Sequence, residues 1–523
     1  MPTAFRLSLL CISLGMAVLF LNVASPGGTT GKIAGGETMS NLSGTIWTEA
    51  SIEDLQAQLE EGSVTSVALV DYFFARIEQY DVGGPTLNAI QHTNPQARAQ
   101  AQALDEERRS QGPRSRLHGI PVLVKDNYET DEMPTTAGSK LFAGFHPRRD
   151  ADLVRRLKEA GAIIIAKTTM HEFAYGITTV GSAFGATKNP YNLSRNPGGS
   201  SGGTGAAVAA NFAVFGMGSD TCGSVRIPAA QNNLVGIRAT QGRLSRTGIV
   251  PLSSTQDIGG PLARSVRDIA IALEVLEGED PADAQTEGTP SNTNYVDALS
   301  EQQGAKIGVL TDWLRQDPAD QPVAQVFEAA LAKMGAEKGW QTQALGSPEV
   351  NDHLDRPYGA HGVLIYDFKV DIEKYLQANP ALGFQSLTDM ISRAEHHPVI
   401  EDSLLASVGI GDQYELYRQE LAQRVLVRDG LERLMEDHGL DALAYPTIRQ
   451  VAAPHGEEQM GTNCRLSANS GLPAISVPIG FDADGVPIGL ELLGRAHSEQ
   501  QLLNLSLTIE NVLGARRLPA STP

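Results

Sequence analysis

The chain is 523 residues long, 41% hydrophobic and 20% charged, which excludes a disordered or low-complexity protein and allows a large buried core. Its 61 acidic against 41 basic residues give a formal net charge of −20, and the basic residues are scattered, which excludes a phosphate-backbone surface and so a nucleic-acid partner. The three cysteines, Cys11, Cys222 and Cys464, form no Cys-x-x-Cys pair and the eleven histidines are dispersed, so no zinc site of ordinary spacing, metal or cofactor is expected.

The N-terminus reads MPTAFR, then LSLLCISLGMAVLFLNVA, a charged start followed by an apolar run. That layout predicts a secretory signal or N-terminal anchor over residues 1–24 and an exported protein, periplasmic or secreted. Asn22 stands where a small residue is wanted before Ala24, so an uncleaved membrane tether is the rival; 18 helical residues span ~27 Å, close to a bilayer core. A start at Met39 would make the protein cytoplasmic instead. Residues 25–45, rich in Gly, Ser and Thr, read as a flexible linker, and the body runs from 46 to 516 with a tail at 517–523.

SIEDLQAQLEEG opens on Ser51 and Asp54, a capping-box pair, and Thr65 is placed to cap a second helix over 65–80. GIPVLVKDN (119–127) reads as a buried strand with a charged tip. Residues 150–170 read as a helix, a stop at Gly161 and the strand AIIIAK. Further strands are expected within 305–312, 441–447, 474–481 and 488–495. Helix followed by strand, repeated, implies an α/β fold. Residues 313–440 look helical and more polar, a layer on the same sheet or a substrate-facing insertion. The adjacent His396 and His397 read as a solvated pair.

Two small, polar turns stand out between these elements. PGGSSGG (197–203) precedes the helical GTGAAVAAN, and DTCGSVRIPAA (220–230) follows the strand-like FAVFGMGSD, with Pro228 tolerated in an early helical turn. Both turns place serines at helix N-termini, where free N–H groups suit an oxyanion. Gly198, Ser200 and Gly202 also match a G-x-S-x-G elbow, but a loop rather than a strand precedes them.

Taken in order, KDN (125–127), PTTAGS (134–139), NPYNLSRNPGGSSGG (189–203), GSDTCGSVRIPAA (218–230), TQDIGGPLARSVRD (255–268) and GLPAISVPIGF (471–481) resemble the segments of the amidase signature family of serine hydrolases. The likeness runs from about residue 48 to 512. It implies one large domain with a central mixed, largely parallel twisted sheet covered by helices on both faces. It also implies a Ser-cisSer-Lys triad: Ser224 as nucleophile, Ser200, joined to Gly199 by a cis bond in the family, as the bridge, and Lys125 as the base. Backbone N–H groups of Thr221, Cys222, Gly223 and Ser224 match the family's oxyanion hole, with Ser201, Asp220 and Arg226 in support. Many members carry Gly where this chain has Cys222, whose side chain either narrows the pocket or packs inertly; its pairing with Cys464 stays open. Asp126 either supports the site or ends its strand.

With no histidine in these segments, a lysine must serve as base, and burial must lower its ordinary value near 10.4. The implied activity is hydrolysis of a carboxylic acid amide to acid plus ammonia or amine through an acyl-enzyme. The substrate is a small-molecule or peptide amide. Phe173 and Tyr175 in MHEFAYG are candidate pocket walls, and IYDFKVDIEKYLQ (365–377) resembles the peptide-amidase-like branch. The alternatives are an amidotransferase A-type subunit drawing ammonia from glutamine, and an idle binding protein on the same fold.

Overall fold

The computed structural model describes residues 47–291, 293–355, 359–411 and 413–523. The expectations for residues 1–24, 25–45 and Met39 lie outside them. Ser51 and Asp54 close the expected capping box on the helix Ile52–Glu61, and Thr65 caps Ser66–Ile77 by accepting from the Ala68 N–H. No helix among the described residues is long and apolar enough to cross a membrane.

The strands are β1 Ile90–Thr93, β2 Pro121–Lys125, β3 Ile163–Thr168, β4 Val180–Gly181, β5 Gly185–Ala186, β6 Phe215–Asp220, β7 Val235–Arg238, β8 Ile258–Ala263, β9 Lys306–Leu310, β10 Gln341–Leu345, β11 Ala442–Pro446, β12 Ala474–Phe481 and β13 Pro487–Leu493. β4 and β5 make a small ribbon; the other strands form one sheet in the order β1-β3-β2-β6-β8-β7-β12-β13-β11-β9-β10. The sheet is mixed. Its parallel pairings lie in two wings, β3-β2-β6 and β11-β9-β10, where helical crossovers join the strands. From β6 through β8, β7, β12 and β13 to β11 every pairing is antiparallel, and the turn at Asp482–Val486 closes β12 and β13 as a hairpin. Helices flank the sheet, among them Gln321–Lys338, Val266–Leu276 and Glu499–Leu513, which also pack on one another.

The segment 313–440 is not wholly helical. β10 sits within it as an edge strand, parallel to β9 from Gln341↔Lys306 to Leu345↔Leu310. Four of its five residues are exposed, so QTQAL carries no apolar alternation to betray it. The helices Gly359–Ala378, Leu387–Ser392 and Glu401–Gly409 bury a small core of their own, with Phe368, Ile372, Met390 and Leu404 packed against Phe142, Phe173 and Leu252.

β2 and β6 run parallel, with Leu123 opposite Gly216 and Val124 opposite Met217. Their carboxyl ends therefore open on the same edge, which places Lys125 beside Ser219 and Asp220.

Candidate active site

Lys125 is the last residue of β2 and is fully buried. Its Nζ donates to Ser200 Oγ at 2.7 Å and Ser219 Oγ at 2.8 Å. Asn127 Nδ2 also donates to Ser219 Oγ, at 2.9 Å. Burial pushes the Lys125 amine down to about 7, against the upward pull of Asp257 and Asp220. Adjacent Asp126 ion-pairs with Lys167 at 3.1 Å and accepts from the Thr136 and Gly138 N–H groups, so it braces the 136–138 turn.

The first polar turn carries the Gly199–Ser200 bond in the cis form and leads into the helix Gly202–Ala209. A Cβ on Gly199 would stand 2.7 Å from the Ile177 carbonyl carbon, so only glycine fits there. Ser201 N–H donates to the Ser224 carbonyl at 3.2 Å, and Ser201 Oγ donates to the Ser219 carbonyl at 3.2 Å. These bonds stitch the two turns together.

The second turn leaves β6 at Asp220 and enters the short helix Arg226–Gln231. Asp220 organises it. Its carboxylate accepts from the Gly223 N–H at 2.7 Å, the Val225 N–H at 3.1 Å and Arg226 Nε at 3.1 Å. The Gly223 N–H, one of the expected oxyanion donors, is thus engaged by Asp220 in this structure. Arg226 reaches on to Glu491 of β13, which also accepts from Tyr445 Oη at 2.9 Å, and Arg238 of β7 donates to the Asp220 carbonyl. All four charges are buried and formally cancel. Burial raises the Asp220 carboxyl, but Arg226 and Arg238 outweigh it and hold the group far below the usual range. Burial likewise lowers Arg226, and Asp220 and Glu491 more than reverse it.

Ser224 faces a cavity of about 280 Å³. Ile177, Leu252 and Leu364 give it apolar walls, and Thr221, Gln256 and Arg465 add polar groups to its lining. Cys222 and Cys464 line it too, joined as a disulfide with Cα atoms 5.0 Å apart, so Cys222 carries no free thiol. Thr221 Oγ1 donates to Asp257 at 2.5 Å.

Tyr175 lines this cavity, with its Oη 3.1 Å from Ser407 Oγ. Phe173 does not: it is buried in the second core, edge-on to Phe142 with ring centroids 5.1 Å apart. Its large apolar ring found a better home among other rings than at a partly polar wall. His396 and His397 are half-buried rather than solvated, and the His397 N–H donates to the buried Glu172 carboxylate at 2.9 Å. Sequence reasoning missed Ser219, Asn127, Asp257, Arg238 and Glu491. Ser219 and Asp257 sit inside segments already singled out. Arg238 and Glu491 had a different signal, a lone charge in an apolar strand.

A family model described as Amidase matches residues 68–503. The chain is 33% identical over 496 residues to the A-type subunit of a glutamyl-tRNA(Gln) amidotransferase from Synechococcus sp. (strain CC9605), covering 91% of this chain and 98% of that relative. It superposes on the native peptide amidase from Stenotrophomonas maltophilia with a TM-score of 0.84 at 33% identity, covering 91% and 100% of the two chains. The peptide amidase PAM in complex with the competitive inhibitor chymostatin gives a TM-score of 0.82 at 34% identity, over 90% and 99%. The chain therefore belongs to the amidase family, whose reaction is hydrolysis of the C–N bond of linear amides.

Proposed function

We propose that the chain hydrolyses a carboxylic acid amide through Ser224, with Ser200 as proton relay and Lys125 as base. The observation that carries this reading is the 2.7 Å separation of Lys125 Nζ and Ser200 Oγ, across which the amine, lowered to about 7 by burial, accepts the hydroxyl proton once it is neutral. Neutral Lys125 draws a proton from Ser200, which draws one from Ser224 as its Oγ attacks the amide carbonyl. The N–H groups of Thr221, Cys222 and Ser224 point the turn's dipole at the oxyanion. The relay returns the proton to the leaving nitrogen, which departs as ammonia or amine, and water then cleaves the acyl-enzyme.

The mostly apolar cavity favours an apolar acyl group, and the peptide amidase neighbours support a peptide or small-molecule amide. The amidotransferase relatives support a second reading, ammonia supply from glutamine to a partner. The apolar N-terminal run and the disulfide both support export to an oxidising compartment, either released or tethered. The test is ammonia and amine release by the purified full-length chain from peptide amides, aryl amides, acyl-anilides and glutamine, with Ser224→Ala as control. Release from one amide class, lost in the variant, supports the hydrolase. Release from glutamine alone, or none without a partner, favours the second reading.

A further inference from the structure

The nucleophile turn and the far wall of the cavity come from distant parts of the chain. Residues 221–224 follow β6, whereas Thr462, Cys464 and Arg465 precede β12. The wall segment has its own anchors: Asn463 Nδ2 donates to the Trp313 and Pro446 carbonyls at 2.8 and 2.7 Å, and Arg465 pairs with Asp355 at 2.9 Å. None of these reaches the nucleophile turn, and among the described residues no hydrogen bond joins residues 221–224 to residues 447–471. The link between them is the Cys222–Cys464 disulfide, which spans 242 residues of sequence. The fit is close beneath it as well. Gly223 has φ +87°, and a Cβ there would stand 2.9 Å from Cys464 Cβ and 2.7 Å from Ile227 Cδ1.

We propose that Cys222 and Cys464 are positioning residues, whose disulfide sets the width of the acyl cavity and holds the Cys222 N–H toward the reacting carbonyl. This rests on the Ser224 reading above. One cysteine sits two residues before the nucleophile, the other directly before Arg465, and both line the cavity. Breaking the bond frees the wall to move against the turn. A bulky apolar acyl group then loses contact, whereas a methyl-sized one, which leaves most of the cavity unfilled, has little contact to lose. The amine of Lys125 bonds to Ser200 and Ser219, and Asn127 bonds to Ser219; none of the four lines the cavity, and they keep their bonds.

The test compares full-length enzyme, oxidised and after dithiothreitol, on hexanamide and acetamide. Dithiothreitol supplies two electrons and two protons: it becomes its cyclic disulfide, the Cys222–Cys464 bond breaks, and two thiols form. The expected result is a KM for hexanamide raised roughly 5- to 10-fold, with the KM for acetamide within about twofold. Cys464→Ser should reproduce the reduced enzyme and no longer respond to dithiothreitol. A loss of folded enzyme would lower kcat for both amides and leave both KM values unchanged, and that result, with thiol titration showing reduction, overturns the proposal. Amide hydrogen exchange gives a reading that needs no substrate. Reduction should speed exchange at residues 221–225 and 462–466 about 10-fold or more while β2 and β6 stay unchanged, and equal exchange in the two states overturns the tether. Absence of hydrolysis by the oxidised enzyme would instead fall on the Ser224 reading, and the exchange result would still decide the tether.

Discussion

The sheet edge and the helical layer above it differ in how they place their ion pairs, although the layer also buries Asp367 and Asp371 against Ser253, Ser254 and Tyr417. Lys125 and Asp220 at the ends of β2 and β6, Arg226 in the helix after β6, Arg238 at the end of β7 and Glu491 within β13 are buried, and each charge is met by a counter-charge, a hydroxyl or a backbone group. In the layer, pairs such as Arg433–Glu349 and Arg418–Glu415 stand in solvent. Ion pairs of the first kind fix geometry because either partner alone is costly. Those of the second kind are screened and contribute little. The Lys125–Ser200 bond thus lies in the first region, and the cavity's outer wall, through Leu364 and Ser403, in the second.

The sharpest attempt to break this division is Ser224→Ala. It should cost at least about 10⁴-fold in kcat with unfolding unchanged; substantial residual turnover would remove the sheet edge from the chemistry. Next, Arg226→Met leaves Asp220 and Glu491 buried without their shared partner and should cost about 3–5 kcal/mol in denaturant unfolding. The third concerns pH. kcat/KM should rise with pH through about 7, as Lys125 loses its proton, and Asp257→Asn, by removing a charge that favours the ammonium, should move that limb to lower pH. An unmoved limb would mean another group controls it. Leu364→Ala, in the layer, should raise KM for an apolar amide roughly 5- to 10-fold and leave kcat within about twofold. Smallest of all, Arg433→Met should shift stability by no more than about 0.5 kcal/mol.

The same division explains what could be read from the chain. Ser200 and Ser224 stood out because glycine-rich turns mark them locally, Lys125 as the charged tip of an apolar strand whose role only the family resemblance supplied, and the helices and most strands around them follow from caps and apolar runs. The bond from the Gly223 N–H to Asp220 was not read because its partner is a side chain three residues earlier, although an aspartate opening a turn that contains glycine is itself a turn signal. β10 escaped because an exposed edge strand needs no apolar face, and Phe173 because core and pocket aromatics look alike in sequence. The Cys222–Cys464 bond joins residues whose nearness only the completed fold creates.

The burial of Lys125 also makes folding a proton-releasing reaction. In the unfolded chain its amine titrates near 10.5 and in the native state at about 7, so between those values the folded protein binds fewer protons. At and below pH 7 the native state forgoes about 4–5 kcal/mol through this one group, and it regains that stability as the medium becomes alkaline toward 10.5. The lowered proton affinity of this amine is therefore maintained by the rest of the molecule, whose packing eases the loss of a proton that water would keep in place.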